Sequence, residues 1–273
     1  MDFLAGMARE RLERVRLDER RISTAELRGR AESMAGSMAR SFREALRRPP
    51  GASLRVIAEV KRASPSAGVL RGSYDPAGIA AQYEAAGASA ISVLTEPSRF
   101  DGSIEDLERV RERVRVPLLL KDFVVHERQL YEARAHGADA ALLIVAILSP
   151  AQQRDYTELM REIGLTPLIE ILERGEIDRA LQTEDAVIGV NNRDLHTLTM
   201  RRGWAESLLP SIPSDRVRIG ESGYGSRAEL ESLERAGGDA ALVGESLLRA
   251  DAPGEALRAL LGGEANTRGT ERP

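Results

Sequence analysis

Ala86-Gly87-Ala88-Ser89-Ala90, His136-Gly137-Ala138-Asp139-Ala140 and Ala236-Gly237-Gly238-Asp239-Ala240 are three versions of one join, and they decide the fold. In each, a glycine follows a helix-length segment and small residues lead into an apolar run. Glycine suits the left-handed residue that ends a helix, and small side chains let the chain drop tightly into a buried strand. Related joins imply related units.

Outward from these joins, eight short apolar runs recur: Leu54 to Val60, Ala90 to Leu94, Pro117 to Leu120, Ala140 to Val145, Pro167 to Ile171, Val187 to Val190, Val217 to Ile219 and Ala240 to Val243. Helix-length segments separate them, which predicts an α/β chain folded as a TIM (β/α)8 barrel over residues 51–262. The runs are near-continuous in apolar residues rather than alternating, as expected of parallel strands covered on both faces. Residues 1–50 lie outside the repeat, are rich in Arg and Glu, and carry Leu12, Val15 and Ile22 at helical intervals. They predict an N-terminal helical extension, with Met34 and Met38 on one face packing against the barrel. The small and charged residues of 263–273 predict a flexible tail.

Composition narrows the function classes. A length of 273 residues with 42% hydrophobic content allows one large α/β domain or two small ones, and the repeat favours one. A net charge of -4 leaves no basic excess to neutralise a nucleic-acid backbone. The absence of cysteine excludes disulfides, thiolate metal sites and a cysteine nucleophile. No apolar stretch approaches a membrane span and the N-terminus is charged, so a cytoplasmic protein is expected. His126, His136 and His196 lack metal-ligand spacing and read as surface histidines, so no metal is expected.

In this fold the reacting groups come from the C-terminal ends of the strands. Strand 1 ends with Glu59 and Lys61, strand 3 with Lys121, Asp122 and Phe123, and strand 5 with Glu170. Strand 6 ends with Asn191, Asn192, Arg193 and Asp194, and strand 7 with Glu221, Ser222 and Gly223. A single charge at a strand terminus is ordinarily a solvated end; agreement among five strands is not. Neighbours on a strand point oppositely, so Asp122, Arg193 and Asp194 read as structural partners of the helices. Gly223 and Gly225 after strand 7, and Gly244 with Glu245 after strand 8, present backbone N–H groups where such barrels seat phosphate, with Ser246 as an expected N-cap. Ser64 and Ser66 reach toward the same region, and Phe100 and Phe123 offer aromatic surface at the same end.

The ordered set Glu59-Val60-Lys61-Arg62-Ala63-Ser64-Pro65-Ser66, Leu94-Thr95-Glu96, Leu120-Lys121-Asp122-Phe123, Leu168-Ile169-Glu170, Asn191-Asn192-Arg193-Asp194-Leu195 and Glu221-Ser222-Gly223 closely resembles the indole-3-glycerol-phosphate synthase family. That family also carries a helical extension before its barrel. The resemblance implies ring closure, decarboxylation and dehydration of 1-(2-carboxyphenylamino)-1-deoxyribulose 5-phosphate, a small phosphorylated substrate, with no cofactor.

By the same resemblance Lys121 is the general acid, Glu170 the acid/base group and Lys61 the partner of the substrate carboxylate. Glu59, Asn191 and Glu221 complete the catalytic set. Ser222, Phe100, Phe123 and Arg193 would bind substrate, and Ser64, Ser66, Gly223, Gly244 and Glu245 its phosphate. How the two lysines divide the steps is left open, as are service in a specialised indole pathway and contacts with other tryptophan-pathway enzymes. A monomer or weak homo-oligomer is expected. Ala67 stands where relatives often have lysine, and Glu245 adds a negative charge near the phosphate seat, so weaker phosphate affinity is expected. Phosphoribosylanthranilate isomerase relies on a cysteine base, the tryptophan synthase α subunit lacks the strand-3 lysine pattern, and a non-catalytic phosphate-binding barrel has no use for the charged set.

Overall fold

The three joins close as one hydrogen-bonded motif in a computed structural model that describes residues 2–35 and 41–263. Gly87, Gly137 and Gly237 have φ of 99°, 90° and 89°. In each join the glycine N–H bonds back to the carbonyl three residues earlier, at Glu84, Arg134 or Glu234, and the next N–H bonds to Tyr83, Ala133 or Leu233. This double closure satisfies the last helical carbonyls and turns the chain sharply toward the sheet. Gly164, with φ of 77°, makes the same closure to Arg161 while Leu165 bonds Met160. Its sequence, Ile163-Gly164-Leu165-Thr166, shares only the glycine with the others.

The joins feed eight parallel strands: β1 (Arg55–Val60), β2 (Ala90–Leu94), β3 (Leu118–Lys121), β4 (Ala140–Ile144), β5 (Thr166–Ile171), β6 (Val187–Asn191), β7 (Val217–Glu221) and β8 (Ala240–Val243). Each pairs with its sequence neighbours, and β1 pairs with both β2 and β8, closing a barrel. All five residues of β2, β4 and β6 are buried, as the unbroken apolar runs require. Inward side chains such as Ile57, Leu119, Leu168, Val187 and Ile219 form one core inside the barrel, and outward ones form a second core beneath the helices.

Three helices precede β1: α1 (Phe3–Asp18), α2 (Thr24–Ala35) and α3 (Phe42–Leu46). On α1 the buried stripe is Leu4, Met7, Arg11 and Val15, so of the expected Leu12, Val15 and Ile22 only Val15 belongs to it, and Ile22 lies past the helix end. Leu12 is only half-buried, whereas Arg11 buries its guanidinium because Asp122 waits for it at 2.7 Å. Leu4 and Met7 join the same core as Phe123, Ile144 and Leu172 near the C-terminal ends of the strands. At the opposite end Arg43 pairs with Asp185, just before β6, and Arg48 donates to the carbonyl of Gly238, just before β8. The extension therefore contacts both ends of the barrel. Residue Met38 and the tail from 264 lie outside the described residues.

Candidate active site

The C-terminal ends of the strands surround a cavity of about 560 Å³. Its walls include Glu59, Lys61, Ser64, Ser66, Phe100, Lys121, Phe123, Asn191, Arg193, Glu221, Ser222, Gly223, Gly244 and Glu245. Every residue expected to act in catalysis, substrate binding or phosphate binding lines this cavity except Glu170, which is fully buried and bonded to Lys121; Asn192 and Asp194 do not line it.

Residues two apart on a strand share a side, so Glu59 at the end of β1 and Lys61 just past it form an ion pair of 2.7 Å. Lys121 Nζ lies 3.0 Å from Glu170 Oε2 and 3.1 Å from Glu221 Oε2. Asn191 stands level with Glu221 across the ladder. Burial opposes the charge on Lys121, but the carboxylates of Glu170, Glu221 and Glu59 outweigh it and hold the ammonium above its ordinary value. Burial also pushes Glu221 up, against the pull of Lys121 and with help from Glu170, to about 8. Two lysines, Lys61 and Lys121, thus face the carboxyl groups of Glu59, Glu170 and Glu221. Among the described residues, Glu170 Oε1 and both oxygens of Glu221 are buried without an aligned hydrogen-bond partner.

Phe100 and Phe123 lie with ring centroids 6.3 Å apart at a tilt of 44°, forming an apolar wall. Sequence reading had no signal for how Phe100 is held. Buried Glu96 accepts from the N–H groups of Ser98, Arg99 and Phe100 at 2.7, 2.7 and 3.2 Å, folding the turn that presents the ring. Phe3 reaches the same cavity from α1, its N–H donating to the carbonyl of His196 at 3.2 Å.

Arg193 lines the cavity while its guanidinium donates to the carbonyl of Leu198 at 3.0 Å, so it both borders the site and braces a loop. Ser222 has φ of 64°, unusual for a residue with a side chain, and Gly223 follows at 83°. The Asn192 side chain donates to the Ser222 carbonyl at 3.1 Å and accepts from Ala205 N–H at 2.8 Å, holding that turn.

Two expectations are corrected, for Ser246 and for His136. Ser246 is not an N-cap: the short helix Glu245–Leu248 starts after Gly244, and the Ser246 hydroxyl donates to the carbonyl of Tyr224 at 3.0 Å, tying the loops after β7 and β8 together. The negative charge of Glu245 is paired with Arg249 one turn later, at 3.0 Å. Arg249 and Arg202 both border the cavity, and an i, i+4 pair is legible in sequence once the helix start is known. His136 is also not a surface residue; its ring is 10% exposed and lies 3.5 Å from Glu108.

A closed parallel barrel with paired acids and ammonium groups at its catalytic mouth defines an acid–base (β/α)8 enzyme. The family model described as indole-3-glycerol phosphate synthase matches residues 4–260, and the chain belongs to that family. It is 46% identical over 252 residues to indole-3-glycerol phosphate synthase 1 of Streptomyces coelicolor, covering 92% of this chain and 89% of the relative. The synthase of Mycolicibacterium gilvum is 44% identical over 254 residues, covering 92% of both. Among solved structures, a mutant tryptophan synthase alpha-subunit from the hyperthermophile Pyrococcus furiosus superposes with a TM-score of 0.57 at 15% identity, covering 76% of this chain and 98% of that one. That likeness concerns the barrel fold.

Proposed function

We propose that this chain closes the pyrrole ring of 1-(2-carboxyphenylamino)-1-deoxyribulose 5-phosphate, giving indole-3-glycerol phosphate, carbon dioxide and water. The observation that carries this reading is Lys121 Nζ held between Glu170 and Glu221, at 3.0 and 3.1 Å, on the wall of a cavity that also presents two phenylalanines.

The carboxylate-bearing ring carbon attacks the ketone carbon as Lys121 protonates the ketone oxygen. Carbon dioxide then leaves, its bonding electrons restoring the aromatic ring. Glu170 serves the proton transfers by which the new hydroxyl departs as water. Lys61, paired with Glu59 at 2.7 Å, exchanges that partner for the substrate carboxylate. Phe100 and Phe123 hold the aromatic ring near the ketone, and folding the substrate back on itself is a large part of the barrier that positioning removes. The phosphate rests on Ser64, Ser66, Gly223, Gly244 and the backbone of Glu245.

The test is turnover of this substrate by purified protein, followed by indole fluorescence and repeated after chelation. Full activity is expected in both. No product at high enzyme concentration would overturn the assignment.

A further inference from the structure

We infer that Gly189 is a positioning residue: the missing side chain in the middle of β6 makes the seat that holds the Glu221 carboxylate against Lys121. This rests on the catalytic reading above.

Gly189 and Asn191 are two apart on β6 and share the inward side. Interiors of such barrels are filled level by level with side chains, yet position 189 contributes none. Its φ lies outside the left-handed region, so the backbone itself does not demand glycine. Space does: a Cβ built there overlaps Glu221 Oε1 and falls 3.2 Å from both the Glu221 carboxyl carbon and Leu168 Cδ1. Any side chain would therefore drive the carboxylate out.

The level of this seat matters. Gly189 pairs in register with Glu170 on β5 and with Ile219 on β7, whereas Glu221 pairs with Asn191 above it. The Glu221 side chain therefore leans back one level into the barrel, to the height of Glu170, and both acids meet the same ammonium. Neither Glu221 oxygen has an aligned hydrogen bond, and both are buried. Lys121 and Glu170 meet the Glu221 carboxyl on one side, and the space left at position 189 admits it on the other, which makes the shape of the seat decisive. Glycine weakens a strand interior, and its use here fits a close approach.

The test is Gly189→Ala, read by circular dichroism, melting temperature, kcat, KM and the pH dependence of kcat, with the wild type as control. We expect a folded protein with KM little changed, kcat lower by about 10²-fold as for a misplacement near 1 Å, and a displaced pH profile. In a Glu221→Ala background the same substitution should cost nothing further in kcat or melting temperature, because the carboxylate it displaces is gone. A folded Gly189→Ala protein with wild-type kcat overturns the inference, as do losses that multiply in the double variant. If Gly189→Ala fails to fold, the double variant with Glu221→Ala is expected to recover the fold, and its failure to do so overturns the inference too. Should the wild type make no indole product, the catalytic reading fails by itself, and the two melting temperatures still decide whether Gly189 seats Glu221.

Discussion

Arg11, on the helix that precedes the barrel, clasps Asp122 through contacts of 2.7 to 3.0 Å, and Asp122 directly follows Lys121. Lys121 faces inward to the acids while its neighbour faces α1, so one strand end joins the chemistry to the extension.

Removing one partner of a buried pair strands the other. Arg11 and Asp122 side chains are 8% and 2% exposed, so Arg11→Ala is expected to lower stability by about 3–5 kcal/mol. Urea unfolding measures this. A loss below about 1 kcal/mol, the range of exposed pairs, would show that the clasp is replaceable.

If Lys121 is the general acid, Lys121→Ala should reduce kcat by at least ~10²-fold with the protein still folded. A change confined to KM would make it a binding residue instead.

Glu221 gives a pH signature in stability. Its folded value stands near 8 against an ordinary 4.5, so between these limits the folded state binds more protons than the unfolded one. Its contribution is present below the lower limit and is lost as pH rises through the upper one. Glu221→Gln, which cannot ionise, should therefore flatten the fall in melting temperature between pH 5 and pH 8. An unchanged slope would mean that Glu221 is ionised throughout.

Arg249 compensates Glu245 beside the proposed phosphate seat. Arg249→Ala should raise KM by about tenfold with kcat preserved, and added salt should shrink the difference as screening weakens both charges. Equal KM values at low salt would remove Arg249 from phosphate recognition.

Much of this was legible along the chain. The glycine joins carry their own conformational instruction, because a residue without Cβ takes the left-handed turn and small neighbours let the strand bury. Strand ends were equally readable, since side-chain alternation sends Glu59 and Lys61 to one side whatever surrounds them. Contacts between distant segments were not. Nothing in Leu4-Ala5-Gly6-Met7 says that it packs beside Phe123, and Arg11 looks like one more surface arginine until Asp122 is placed against it. Gly189 reads as an ordinary weak point in a strand until the Glu221 carboxylate occupies the space beside it. Local geometry decided the barrel, because each βα unit is built from residues near one another in sequence. The charge state of Lys121 and Glu221, the seat at Gly189 and the reach of α1 into the mouth depend on burial and distance across the closed barrel, and those exist only once it has closed.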